Sequence, residues 1–319
     1  MQFDITFHPK WWHKNAGVCF SEDFFNDYRY RLDCDVKMRK LLYEKFGQFG
    51  IGEKSPSKRP ILGSDLIAAG YLFSQIFGCE IKFEEDNSPQ VLCAGISVEE
   101  AKSIKPDLEK SPHFKGQVSQ AEALLQEFGY VLPSINLMGV QNIALDLVDD
   151  GLFISYYEEE ESTRALLDNI TQMLISAAGY LHKYGKMVSG GVTAIVNKTV
   201  KDCYVTSNCS VDMVSPQIYE DFLLEYDIKL AKAYGAFGMH HCGKRAELYS
   251  ALYAKIQNLV FMEAGAGSDV GAVRAHMPKI HINARFIPVA LLSEDAGEIE
   301  NAVRKLYDEG RDSNGQKIS

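Results

Sequence analysis

The residues best suited to chemistry are His240, His241 and Cys242, consecutive within Phe237–Lys244 (FGMHHCGK). Imidazole nitrogen and thiolate sulfur are favoured ligands of zinc. In extended backbone, residues two apart point to the same side. The spacing therefore predicts that His240 and Cys242 face one pocket, while His241 turns away to pack or support. Two ligands do not complete a site, and the same pair can also be a buried histidine and a small apolar thiol. A second cluster, DCYVTSNCSVD, holds Asp202, Cys203, Cys209 and Asp212. Its cysteine spacing matches no common zinc motif. We read this cluster as a loop over the site's mouth, with Asp212 lining the pocket.

A site of this kind needs elements that end together. In the second half, KMVSGGVTA (186–194), FGMHHCGK, LVFMEAGAGSD and KIHINARFIP are short apolar runs that close on polar residues or glycine. Helical patterns separate them, among them SPQIYEDFLLEYDIKLAKAYG, whose Ser–Pro start suits a helix N-cap and first position. Strand candidates recurring about every 20 residues between helices indicate β-α units of a parallel sheet. With neither GxGxxG nor a Walker A loop, the pattern favours an α/β barrel, whose reactive residues sit at the C-terminal ends of strands. That rule gathers His240, His241, Cys242, Glu263, Asn283 and Arg285.

The first half is less regular. Residues 8–31 are dense in aromatics, with Trp11, Trp12, Phe24 and Phe25 expected to bury against the body as a cap. A functional alternative has His13, Lys14 and Asn15 projecting into a pocket floored by Trp12. Helical spacing is expected over 33–46 and again near 65–77, with 50–60 a loop. CEIKFEEDNSP alternates like a short strand, QVSQAEALLQEFG is a helix stopped by Gly129, and YVLPSINLMG is a buried strand. EEEESTRALLDNITQMLISAAGYLHKYG is a long helix whose acidic residues suit its positive N-terminal end.

The 319 residues are 46% hydrophobic and 24% charged, the composition of a packed globular protein. A formal charge of −10 argues against a nucleic-acid surface. No apolar run reaches the ~18 residues expected of a membrane helix. The N-terminus lacks a secretory pattern, and seven cysteines without a disulfide framework suggest reduced thiols, so a cytoplasmic setting is expected.

The chain resembles the uroporphyrinogen decarboxylase superfamily, which includes zinc-dependent methyltransferases working with corrinoid proteins. WWHKNAG at Trp11–Gly17 sits where decarboxylases carry W-F-M-R-Q-A-G-R. GSDLIAAGYLFSQIFGCEIKFEEDNSP resembles their F-S-D-I-L segment and the following G-x-E-x-x-F. MVSPQIYEDFLLEYDIKLAKAYGAFGMHHCG resembles the helix leading to the strand that ends in H-x-C-G in the methyltransferase branch. The resemblance implies one (β/α)8 TIM-type barrel over residues 1–319, with 1–60 as an N-terminal cap. It also implies that the last β/α unit is missing or truncated.

Departures from the pattern select the branch. Lys14 and Val18 replace the two arginines that hold substrate carboxylates in decarboxylases, and neither reproduces arginine's forked geometry. The decarboxylase aspartate falls near Ala69, with Asp65 one helical turn earlier. The resemblance thus implies zinc on His240 and Cys242, and methyl transfer between a small methylated substrate or thiol and a corrinoid carried by a partner protein. The branch usually takes a further cysteine from the final strand. None follows Cys242, and Glu263 is the substitute expected here. His13, Lys14 and Asn15 would act on the substrate, with Trp12, Asp212, Asn283 and Arg285 contacting it. A homodimer is also in keeping with the family. The alternatives are a degenerate barrel that binds a small molecule without catalysis, or a decarboxylase of another acid using Lys14.

Overall fold

A computed structural model of the chain describes residues 3–185, 195–293 and 295–311. The expected strand at 186–194 and the tail SNGQKIS lie outside the described residues. The strands are β1 (Ile61–Gly63), β2 (Glu80–Lys82), β3 (Gln90–Leu92), β4 (Leu132–Ser134), β5 (Leu137–Met138), β6 (Tyr204–Asn208), β7 (Phe237–His241), β8 (Leu259–Ala264) and β9 (His281–Ala284). Strands β5 to β9 form a parallel sheet in chain order, and β1 pairs in parallel with β4. The chain from 132 to 138 therefore serves both ladders. β2 and β3 form a small antiparallel hairpin apart from them. The fold is mixed α/β.

Helices separate the parallel strands because parallel neighbours need long crossover connections. β6 and β7 are buried along their whole length, as expected for sheet strands covered on both faces. The helix Glu160–Leu181 buries one stripe, including Leu166, Leu167, Ile170, Leu174 and Leu181. Among the described residues, no helix is long and apolar enough to cross a membrane.

Three expectations need correcting. The helix near 65–77 is only Leu72–Ile76. Before it, Ser64 donates its backbone N–H to Ser134 and Asp65 ties to Arg59, so tertiary contacts hold this stretch open. The hairpin partner QVL was not anticipated, since three residues carry little periodicity. The third matters most: the supposed loop YVTSN is the fully buried strand β6.

Of the N-terminal aromatics, Trp12, Phe24 and Phe25 are buried and Trp11 is half-buried. His8 caps the helix Pro9–Ala16 by accepting from the Lys10 N–H, and Gly17 ends it in the left-handed region at φ 61°. Phe7 stacks on Trp11 with centroids 4.0 Å apart and meets Trp12 edge-on at 5.7 Å. Trp12 is completely buried. Its removal by Trp12→Ala is expected to cost about 3–5 kcal/mol. Trp12→Phe should cost much less, because the indole N–H has no hydrogen-bond partner to lose. Denaturation midpoints of the two variants check this; equal losses would contradict it.

Candidate metal centre

Strand register builds the site. β6 pairs with β7 so that Ser207 opposes His240 and Asn208 opposes His241. On the other side His240 opposes Glu263 of β8, which opposes Asn283 of β9. Ser207, His240, Glu263 and Asn283 thus form one lateral row. Two residues further on, the side-chain period returns to the same face. That step brings Cys209, Cys242 and Arg285 to the strand ends. Ligand atoms of Cys209, His240 and Cys242 all lie within 4.8 Å of one another.

His240 is buried, while Cys209 and Cys242 are exposed. The group is therefore rooted in the sheet and open on one side. His241 takes the opposite face, as the alternation predicts. It is wholly buried, its Nδ1 lies 2.8 Å from the Tyr253 hydroxyl, and it packs against Tyr249. Burial holds His241 down to about 4, so its approach to Asp212 at 4.0 Å is no ion pair at neutral pH.

The electrostatics of the cluster run the other way. Burial disfavours the His240 imidazolium, but the charge of Glu263 and the hydrogen bond with Cys242 outweigh it and raise His240 to about 9. Cys242 is lowered to about 3 by hydrogen bonds from Cys209 and His240, against the effect of burial. Cys209 moves well up, chiefly because its thiol donates to Cys242. Arg285 adds positive charge, with Nη1 3.5 Å from Cys242 Sγ and Nε 3.4 Å from Glu263 Oε1.

The donor set suits a metal ion. Glu263 is fully buried, and neither carboxylate oxygen has a hydrogen-bond partner. His240 Nδ1 lies only 3.0 Å from Glu263 Oε1, yet the two are poorly aligned for a hydrogen bond. Its compensation comes from the charges of His240 and Arg285 beside it, without hydrogen bonds to either oxygen. Cys209, His240 and Cys242 form a group that can hold a metal ion.

Not every expected residue converges here. Glu263 and Arg285 border the cluster. Asp212 accepts from the Lys244 N–H at 3.3 Å and approaches His241, on the other face of β7. Asn283 sits beside Glu263 in register. Lys14 and Asn15 are exposed at the end of the first helix, and Asn15 donates to the Trp11 carbonyl. His13 Nδ1 lies 3.0 Å from the Val18 carbonyl. Asp65 is bonded to Arg59. A cavity of about 610 Å³ is lined by Arg39, Arg59, Asp65, Val131 and Asp202 among others, and includes none of the cluster. Its arginines are already engaged, Arg39 by Asp35 and Glu53, Arg59 by Asp35 and Asp65.

Sequence reasoning set Cys209 aside. The signal that finds it is the β-forming run Tyr204–Val205–Thr206 ahead of it, entered through Asp202 at φ 60°. Once that run is a strand beside β7, Cys209 falls opposite Cys242. Gly265, after β8, also serves the site: a Cβ there would strike the Gly243 carbonyl, so the two loops close together only with glycine.

No family model matches the chain, and no curated protein matches it. Among solved structures, a methyltransferase from Methanosarcina mazei is similar, with a TM-score of 0.64 and 14% identity, covering 96% of this chain and 83% of that chain. At that identity the likeness establishes a shared fold.

Behind β6, Asp227 is buried and accepts hydrogen bonds from Asn208 Nδ2 at 2.8 Å and Tyr219 Oη at 2.6 Å. Tyr219 opens the widened helical turn Tyr219–Leu223, a feature often found beside functional sites. Burial lifts the Asp227 carboxyl from 3.8 to about 6 despite both donors. A raised folded-state value means this group's contribution is complete below the unfolded pKa and is lost as pH rises through about 6. The shift corresponds to about 3 kcal/mol. The stability of the wild type relative to Asp227→Asn is expected to fall between pH 4 and 7, since His241, held down to about 4, acts in the opposite sense but equally in both proteins. Urea midpoints across that range test this; parallel profiles would contradict it.

Proposed function

We propose that this chain is a zinc-dependent methyltransferase built on a (β/α)8 barrel. It would move a methyl group between a small methylated substrate or thiol and a corrinoid carried by a partner protein. The observation that carries the reading is the Cys209–His240–Cys242 group, with two sulfurs and a nitrogen at adjoining parallel strand ends and one side open. Sulfur-rich sites retain zinc well, and a catalytic site keeps one position for substrate. The fold shared with the methyltransferase from Methanosarcina mazei supports methyl transfer.

Zinc bound here would supply Lewis acidity, lowering the pKa of a substrate thiol or polarising a methoxy oxygen. The protein's own part is to hold and shield. His240 would anchor the site from the buried side, with Glu263 Oε1 3.0 Å from its Nδ1. Arg285 compensates Cys242 and Glu263, limiting negative charge at the mouth. Asn283, in register beside Glu263, would contact the substrate. A methyl carrier would approach from the side on which Cys209 and Cys242 are exposed.

Purified protein is expected to contain about one zinc per chain, and Cys242→Ser to lose it. With methylcobalamin as methyl source and small thiols as acceptors, the wild type should demethylate the corrinoid and Cys242→Ser should not. Elemental analysis and the corrinoid absorption spectrum read these outcomes. A zinc-free wild type that cannot be reconstituted contradicts the proposal.

A further inference from the structure

Cys209 lies just past the last paired residue of β6, where the ladder no longer fixes the backbone. A metal ligand in that position needs another restraint, because first-layer donors must be held within about 0.5 Å of productive geometry. The chain on either side of it is fastened by one side chain. Asn142, on the helix Val140–Val148 that follows β5, donates from Nδ2 to the Ser207 carbonyl at 2.7 Å. Its Oδ1 accepts from the Ser210 N–H at 3.0 Å and from Ser210 Oγ at 2.5 Å. A single amide thus bridges residues 207 and 210 and spans Cys209.

Neighbouring groups reinforce the clasp. Gln141 Nε2 donates to the Ser210 carbonyl at 2.8 Å and lies 3.0 Å from Ser210 Oγ. Gln141 Oε1 in turn accepts from Tyr156 Oη at 2.8 Å. Asn208 is tied to Asp227. Gly139 brings the helix start against the strand end, donating its N–H to the Ser207 carbonyl at 2.9 Å. A Cβ at Gly139 would collide with Asn208 Oδ1. Within 207–210, the residues flanking Cys209 are held from outside, and the Cys209 thiol is the side chain delivered to the metal group.

We propose that Asn142 is a positioning residue that presents Cys209 as a metal ligand. The inference rests on the metal-binding reading above and adds to it how the sulfur from β6 is brought to His240 and Cys242. An amide satisfies both demands because it donates and accepts at once. Alanine does neither, and aspartate keeps only the acceptor side.

The test uses the full chain loaded with cobalt(II), whose thiolate charge-transfer absorption reports the bound sulfurs. Affinity is measured by competition with a chromogenic chelator. Cys209→Ser is expected to bind more weakly and to lose part of the charge-transfer intensity. Asn142→Ala should weaken binding about 10–100-fold and shift the spectrum toward that of Cys209→Ser. Asn142→Asp should fall between alanine and wild type, and it serves alone if Asn142→Ala does not fold. A clasp that only supports the fold would lower the melting temperature of metal-free protein while leaving the cobalt spectrum unchanged. Wild-type affinity and spectrum in the folded Asn142 variants overturn the inference, as does an unaltered Cys209→Ser. In either case the His240–Cys242 site survives. A wild type that binds neither cobalt nor zinc overturns the metal reading itself, and this inference with it.

Discussion

The parallel pairing of β6 with β7 is the constraint on which the site depends. Opposing Ser207 to His240 places Cys209 level with Cys242, and the pairing of β7 with β8 sets Glu263 beside His240. A slip of one residue would turn His240 and Cys242 toward the helices and bring His241 inward. The packing of His241 with Tyr249 and Tyr253 opposes that slip. So does the bond from Asn208 to Asp227, because Asn208 is level with His241 and shares its face. The residues turned away from the chemistry thereby fix the register of those that face it.

The same arrangement shapes the charge balance. His240 is raised and Cys242 lowered within one cluster, with Glu263 and Arg285 alongside. On the opposite face of β7, burial holds His241 neutral at physiological pH. Adjacent histidines in one strand therefore carry different protonation states because the strand presents them to different surroundings. Buried carboxylates without hydrogen-bond partners are rare in folded proteins and call for an explanation. Glu263 is one, and the positive charges of His240 and Arg285 stand beside it in place of hydrogen bonds.

Much of this was legible from the residues. The period of two in extended backbone separated His240 and Cys242 from His241. Helix signals at Gly129 and Ser215 marked real boundaries. Cys209 was not legible, because β6 carries Thr206, Ser207 and Asn208 in its buried run and so resembles a loop in composition. Those polar residues are tolerated where partners exist elsewhere in the chain, such as Asp227 for Asn208 and Asn142 for the Ser207 carbonyl. Likewise, Cys209 and Cys242 belong to different strand–helix units, and only the register between those units makes them neighbours. The stretch at 65–77 failed for a related reason, since its contacts to Ser134 and Arg59 override local helical spacing.

In the proposed site zinc is held by Cys209 and Cys242, just past the ends of β6 and β7, together with the His240 imidazole. X-ray absorption at the zinc edge of the purified chain tests it most directly. Two sulfur neighbours at about 2.3 Å and a nitrogen at about 2.0–2.1 Å are expected, completed by a light atom. In Cys209→Ser one sulfur should disappear. A shell with a single sulfur in the wild type, or one made only of nitrogen and oxygen, would contradict it.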